Sequence, residues 1–341
     1  MSNETEALGG EMANVVTDVV GAVAGANIPE PIKKNFFKAL SQLCTAAVEI
    51  PVAYMEGIAA EKRSETLGRI RLIEKSANEI AEQMQFDPEY ARAAVKKFGQ
   101  RVVREQINVD RIAYKAAESL TDSTAHDERN PDSPQTQVSD DWLNVFEKEA
   151  GQKSTEEMQN MFAKVLVGEV RRPSTYSIKS IRLLGSMDQP TATLFRRFCS
   201  MCITLRLNNH IIDSRVPSLG TSAATNSLQK FGLSFDSLNL LQEYGLIISD
   251  YNSWMDYRPS FGSPAEPVLL PFEFGNEIWG LVKMDEFQGE EFKVTGVALT
   301  RSGKELMKVV TFDADPLFAA DLAAWFESKK LKMTRVQLSD S

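Results

Sequence analysis

A polar segment between residues 121 and 139 places the strongest constraint on how this chain of 341 residues folds. The segment has almost no large apolar side chain, and it contains two prolines and a run of charges at Asp127, Glu128 and Arg129. Burial of such a segment cannot offset the conformational entropy that is lost when it becomes ordered. We therefore interpret residues 121–139 as a flexible linker that follows a helical domain at 1–120.

Helical periodicity dominates the sequence before this linker. A helical pattern runs from about Ile32 to Ile50, where Pro51 interrupts it, and Asp87-Pro88-Glu89 favours the start of a further helix. Between these segments, apolar residues recur at spacings of three and four and form a short heptad seam. The seam consists of Ile70, Ile73, Ala77, Ile80 and Met84. We expect it to mediate association, either in a hairpin with the helix after Pro88 or with a second subunit.

Two regions with different patterns follow the linker. Residues 140–212 carry apolar positions at helical spacing and predict a central helical bundle. Residues 213–341 contain short β-branched and aromatic runs that predict strands. These runs are 268–274, 277–283 and 292–299. The segments 237–247 and 297–306 also resemble the helix and wing of winged-helix proteins. The sequence thus predicts a mainly α protein with an N-terminal helical hairpin or bundle, a central helical bundle and a smaller α+β C-terminal domain that is winged-helix-like.

Composition favours a cytoplasmic protein. The formal net charge is −9, so binding of nucleic acid or anionic lipid would require a local basic surface. The three cysteines are too few for the disulfide framework of a secreted domain. The acidic N-terminus lacks the positive region of a secretory signal, and the weakly polar stretch 13–26 is too short to span a bilayer. That stretch either packs in a helical hairpin or lies at the inner membrane surface.

The sequence contains no recognisable catalytic motif. Phosphate-binding glycine loops and the Gly-x-Ser-x-Gly turn are missing, and only two histidines, His126 and His210, are present. Cys199 and Cys202 have the spacing of some zinc sites, but tetrahedral zinc needs two further ligands, so we interpret both as buried structural cysteines. We therefore predict no catalytic residue, no metal site and no cofactor.

A basic stripe on the helix after Pro88 is the clearest candidate for a binding surface. Spacings of four, three, seven and four place five cations on one helix face. They are Lys97, Arg101, Arg104, Arg111 and Lys115. Such a face suits the phosphates of nucleic acid or of anionic lipid headgroups. The alternative is a solvated face, because Glu105, Asp110 and Glu118 lie nearby in the sequence.

Two segments resemble a known bacterial family. Residues 156–198 read EEMQNMFAKVLVGEVRRPSTYSIKSIRLLGSMDQPTATLFRRF, and residues 27–57 read NIPEPIKKNFFKALSQLCTAAVEIPVAYMEG. Both are similar to segments of the proteins grouped as domain of unknown function 2806. The layout of the chain also resembles that of the alpha-type abortive-infection proteins, which implies a role in bacterial defence against phage.

These observations lead to one functional prediction and two alternatives. We predict a non-enzymatic bacterial protein of antiviral defence, which acts through helix-mediated association with itself, with another protein or with the inner membrane surface. The first alternative is a nucleic-acid-binding regulator that uses the basic stripe and the winged-helix-like domain. It is less favoured, because the helix expected at 235–244 has no basic residue. The second is a hydrolase or nuclease of unrecognised type.

Overall fold

The computed structural model describes residues 20–44, 87–122, 137–207, 210–221, 224–263, 268–284, 287 and 291–336. The chain divides into two compact units, Met1–Gly185 and Ser186–Ser341. Most of the expected linker, at 123–136, and the whole association seam from Ile70 to Met84 lie outside the described residues. The boundaries drawn at 121–139 and at 212 from the sequence therefore stay predictions.

The first unit is helical in its described residues. After a helical stretch at 20–25, its helices are α1 (Glu30–Leu43), α2 (Pro88–Asp122), α3 (Asp140–Gly151), α4 (Glu156–Arg171) and α5 (Ile178–Ser186). The predicted start of α2 is confirmed, and the Asp87 carboxylate accepts a hydrogen bond from the Glu89 amide at 3.1 Å. Capping of a free amide by this aspartate defines where the helix begins.

An aromatic cluster forms the centre of the helical unit. Trp142 stacks on Phe146 with ring centroids 5.1 Å apart, and Phe146 meets Phe162 edge-on at 5.6 Å. Burial of each phenylalanine contributes roughly 2–3 kcal/mol of transfer free energy. The Trp142 indole N–H donates to the Tyr176 carbonyl at 2.8 Å, so the buried ring leaves no unpaired donor.

In its described residues, the second unit is organised by a nine-stranded sheet. Its strands are β1 (Ile203–Leu207), β2 (His210–Pro217), β3 (Ile247–Ile248), β4 (Trp254–Asp256), β5 (Phe261–Gly262), β6 (Phe272–Phe274), β7 (Glu277–Lys283), β8 (Lys293–Leu299) and β9 (Leu331–Arg335). Its α-helices are α6 (Gln189–Cys199), α7 (Phe235–Glu243), α8 (Arg301–Met307) and α9 (Pro316–Ser328). Short 3-10 helices occur at Ser227–Phe231 and Arg258–Ser260.

Strand pairing in this sheet is almost entirely antiparallel. Strand β8 pairs with β2, β3 and β4, which makes it the centre of one half. In the other half, β6 lies between β1 and β7, and β7 also pairs with β9. Strand β5 joins β7 in the parallel direction. The β1–β2 hairpin connects the two halves into one sheet.

The prediction of a mainly α protein was wrong, because this sheet organises the whole second unit. The sheet begins inside the segment assigned to the central helical bundle, since β1 starts at Ile203. Four strands have only two or three residues, a length at which alternation leaves no readable signal. The winged-helix-like description fails with it, because α7, β8 and α8 belong to the larger sheet unit. The strand predicted at 277–283 is confirmed as β7.

A buried ion pair lies within β2, and its arginine also contacts neighbouring segments of the sheet. The Arg215 guanidinium donates two hydrogen bonds to the Asp213 carboxylate, at 2.6 and 2.8 Å, and both side chains are about 95% buried. The same guanidinium donates to the carbonyls of Ser253 and Val294, at 2.8 and 3.0 Å. The Tyr257 hydroxyl lies 3.3 Å from Asp213. Arg215 therefore ties β2 to β8 and to the residue that precedes β4.

Candidate functional site

Helix α2 differs along its length in how it is packed. It has 35 residues, which corresponds to about 50 Å. Its second part, 105–122, buries an apolar stripe within the helical unit, and we call it the anchored half. The stripe consists of Val109, Ile112, Ala113, Ala116, Ala117 and Leu120. The first part, 88–104, has no fully buried side chain among its described residues, and we call it the exposed half.

Buried amide side chains attach the anchored half to its neighbours. The Asn108 amide donates to the Gly151 carbonyl at the end of α3, at 2.8 Å. The Gln159 amide of α4 donates to the Lys153 carbonyl at 3.0 Å and reaches the Asn108 side-chain oxygen at 3.4 Å. Because an unsatisfied buried amide is costly, these bonds fix the rotation of α2 about its axis. That rotation decides which side chains of the exposed half face solvent.

A second polar cluster lies where α1 ends beside the anchored half. The Gln106 amide donates both to the Leu43 carbonyl and to the Asp110 carboxylate, each at 2.8 Å. Burial raises the pKa of Asp110, and hydrogen bonds from Gln106 and Cys44 oppose that rise. Burial, together with the nearby Asp110 carboxylate, raises the pKa of the Cys44 thiol well above its usual range. The cluster therefore holds a carboxylate whose charged form is destabilised by burial.

Asp110→Asn is expected to raise the free energy of unfolding at neutral pH. A folded-state pKa above the unfolded value of 3.8 means that the native protein loses stability from this group as the pH rises through the folded-state pKa. The asparagine variant lacks that loss, so its advantage should shrink as the pH falls towards 3.8. Urea unfolding of both proteins over this pH range measures the difference. A variant less stable than the wild type at neutral pH would contradict the argument.

The exposed half of α2 combines apolar and basic side chains. Phe98 is 40% exposed, Val103 43% and Tyr90 65%. The sequence 88–104 contains five Arg or Lys residues and one Glu, a net charge of +4 in a chain of net charge −9. The Arg101 guanidinium lies 5.2 Å from the centroid of the Phe98 ring and 3.6 Å from the Glu105 carboxylate. A cation over an aromatic face keeps the ring partly covered while both groups remain accessible.

The structure brings together three of the five cations that the basic stripe contains. Lys97, Arg101 and Arg104 are exposed and lie within the exposed half. The two others lie in the anchored half: Arg111 is exposed, and Lys115 donates to the Asn160 side chain at 2.8 Å and pairs with Glu156 at 3.4 Å. Asn108 lies on the same helix face, between the three cations of the exposed half and the two cations of the anchored half, and it is buried. The stripe is therefore not one continuous solvent-facing surface.

Comparison with known proteins assigns the family. The family described as protein of unknown function (DUF2806) matches residues 92–323. The chain belongs to this family. The resemblance that we recognised at 156–198 is confirmed by this match, whereas the segment 27–57 precedes it. No curated protein and no solved structure matches the chain.

The DUF2806 match covers parts of both units. It begins at residue 92, within the exposed half of α2, and continues into α9. The anchored half, the cations Lys97, Arg101 and Arg104 and all strands except β9 therefore belong to the family region. The likeness to alpha-type abortive-infection proteins stays a prediction.

The cysteines of this DUF2806 protein are buried. Burial raises the pKa of both Cys199 and Cys202, and the Cys202 thiol contacts the Phe198 carbonyl at 3.5 Å. A thiol whose pKa is raised in this way is a weak nucleophile and a weak metal ligand. Within the described part of the chain, no three His, Cys, Asp or Glu side chains are grouped so that they could hold a metal ion.

No helix in the described ranges combines the length and the apolar character that crossing a membrane requires. Helix α2 has the length, but basic and acidic residues occur along all of it.

Sequence reasoning missed the contrast between the two halves of α2. Phe98 and Val102 fit the same apolar periodicity as Ile112, and this periodicity does not distinguish the three residues. Phe98 is nevertheless 40% exposed and Val102 is half-buried, whereas Ile112 is completely buried. The sequence did contain a signal that Phe98 is exposed, because Lys96, Lys97 and Arg101 are its neighbours along the chain.

Proposed function

We propose that this DUF2806 protein is a non-enzymatic association protein, and that the exposed half of α2 is the element through which it binds its partner. One observation carries the proposal: exposed apolar and basic side chains share residues 88–104, while the remainder of the same helix is fixed in the helical unit. A helix that is held at one end presents the other end in a defined orientation. Such pre-organisation reduces the entropy cost of binding.

The physical character of the exposed half supports association rather than simple solvation. A purely solvated helix face needs no accessible aromatic or β-branched residue, yet Phe98 and Val103 are each at least 40% exposed. Burial of such residues at an interface is favourable, and the adjacent cations can add specificity and faster encounter with an acidic partner. The net charge of +4 over 88–104 contrasts with the net charge of −9 of the whole chain and provides a local attraction for anions.

We place this association in antiviral defence within the bacterial cytoplasm. The support is the similarity of the chain layout to alpha-type abortive-infection proteins, together with three cysteines, which are too few for a disulfide framework. In this function, α2 binds a partner and so determines where the protein acts in the infected cell.

Plaque counts test the proposal in a strain from which the gene has been deleted. Wild-type protein supplied from a plasmid should lower the number of plaques formed by at least one phage of a panel. The double variant R101E/R104E should return the plaque number to that of the deletion strain, because charge reversal removes the basic surface. The control K179E/R182E reverses two exposed cations on α5 and should protect as the wild type does.

Two results would contradict the proposal. Equal plaque numbers with and without the wild-type protein across the panel would remove the defence role. Full protection by R101E/R104E, at wild-type protein level, would remove the exposed half of α2 as the association element.

A further inference from the structure

We infer that the partner of the exposed half of α2 is the surface of an anionic lipid bilayer. This inference rests on the proposed function, because it names the partner of the same helix. It is carried by the juxtaposition of a partly exposed aromatic ring, Phe98, with Lys97, Arg101 and Arg104 on exposed turns of one helix.

The dimensions of the exposed half suit a helix lying in the plane of a membrane interface. Its 17 residues correspond to about 25 Å, which is long enough to contact several headgroups at once. Helices of this kind bury apolar side chains at the boundary between headgroups and acyl chains, while their basic residues meet the phosphates. Phe98 and Val102 lie on the side that continues the buried stripe of the anchored half, and the three cations lie on the adjacent face. The arrangement offers both contacts on one helix.

Electrostatics favours an anionic surface over a neutral one. Each basic side chain near an anionic leaflet contributes about 1 kcal/mol, and a net charge of +4 is concentrated within 88–104. The remainder of the chain is acidic overall and is repelled by the same leaflet, so binding depends on a local basic surface and is sensitive to salt.

A second copy of the chain fits this surface less well. Pairing of two exposed halves through Phe98 and Val102 would bring the cations of both copies together beside a short apolar stripe. Like charges placed across an interface weaken association. Phe98 and Val102 are also only four residues, or little more than one helical turn, apart, which is too short for a stable coiled coil.

Nucleic acid also fits less well than a bilayer. Readout of base edges in the major groove uses polar side chains, and phosphate contacts need no exposed aliphatic residue. The exposed half instead places Phe98 and Val102 on the helix side next to the face that carries the three cations. A bilayer interface accommodates the cations and these two apolar side chains together, whereas a phosphate backbone accommodates only the cations.

Flotation of the purified full-length protein with vesicles tests the inference. The probes are vesicles of phosphatidylcholine alone and of phosphatidylcholine mixed with phosphatidylglycerol, each at low and at high salt. Wild-type protein should float with the mixed vesicles at low salt, float less at high salt and stay unbound with phosphatidylcholine alone. R101E/R104E should weaken binding to the mixed vesicles by at least about tenfold, from the loss of two basic contacts.

Two further variants separate charge from apolar contact. Phe98→Ala keeps the charge and should also weaken binding to the mixed vesicles, because the ring no longer enters the interface. K179E/R182E changes the net charge as much as R101E/R104E does and should bind as the wild type does. Circular dichroism melts check that each variant is folded before its binding is compared.

The outcomes distinguish this inference from the proposed function. If the wild-type protein floats with neither kind of vesicle, or floats equally with both, the proposal of an anionic lipid partner is wrong. Salt-sensitive binding to a DNA oligonucleotide without vesicle binding overturns it as well and identifies a nucleic acid instead. If either result is accompanied by loss of phage protection in R101E/R104E, association through α2 stands and only the partner is wrong. Vesicle binding that R101E/R104E loses, with protection unchanged, supports the lipid contact and overturns the defence role of the helix.

Discussion

Arg215→Met should lower the free energy of unfolding by about 3–5 kcal/mol. The substitution leaves the Asp213 carboxylate charged and about 95% buried, and it removes the donor that serves the Ser253 and Val294 carbonyls. Breaking one side of a buried pair costs more than the pair contributes when intact, because the remaining charge loses both its partner and its solvent. Urea unfolding measures the loss, and hydrogen exchange in β2 and β8 assigns it to the sheet unit.

Arg206→Met provides the matched control in the same sheet. Arg206 also forms two hydrogen bonds to one carboxylate, that of Glu273, at 2.7 and 2.9 Å, but both partners are about one third exposed. Its loss should therefore cost no more than about 1 kcal/mol. The double variant with Asp213→Leu and Arg215→Met should lose less than Arg215→Met alone, since no unpaired charge remains. Equal losses for R215M and R206M would show that burial of the pair does not determine its contribution.

Phe162→Ala should lower the free energy of unfolding by about 3–5 kcal/mol. The ring is completely buried and meets Phe146 at 5.6 Å, so truncation leaves a cavity beside the stacked Trp142 and Phe146. Packing interactions are lost on all sides of that cavity, which adds to the lost transfer free energy. Thermal and urea unfolding of the helical unit report this change.

Phe98→Ala makes the same chemical change on the exposed half of α2. Because Phe98 is 40% exposed and alanine is the better helix former, the stability of this variant should stay within about 0.5 kcal/mol of the wild type. F98A should thus bind vesicles more weakly and keep its stability, whereas F162A should lose stability. A loss of several kcal/mol in F98A would mean that this ring belongs to the folded core and is not a contact for a partner.

Local signals in the sequence located helix starts and the strands β7 and β8, and nonlocal packing decided the rest. Asp87 and Pro88 identify the start of α2 because capping and proline preference act within one turn. Strand β7 has seven residues, enough for its pattern to be read, but β3 and β5 have two each and owe their conformation to pairing with β8 and β7. The fold class of the second unit is therefore determined by contacts between segments that are distant in the sequence.

The same distinction applies to the candidate site. Helical periodicity correctly places Lys97, Arg101, Arg104, Arg111 and Lys115 along one side of α2. It contains no information on where neighbouring helices cover that side, so burial at Asn108 and the contact of Lys115 with Asn160 could not be anticipated. Phe98 and Phe162 are likewise indistinguishable by residue type, and only their packing separates a candidate contact from a core ring.

The continuity of α2 makes the exposed half a lever. Pro88 and Asn108 lie about 30 Å apart along one uninterrupted helix, so a tilt of ~10° at Asn108 displaces the tip by about 5 Å. The reverse also holds, since a load applied near Phe98 is delivered as torque to the hydrogen bonds that Gln106 and Asn108 make with the Leu43 and Gly151 carbonyls. Leu43 and Gly151 are the last residues of α1 and α3. A force on the exposed half is therefore transmitted first to the ends of these two helices.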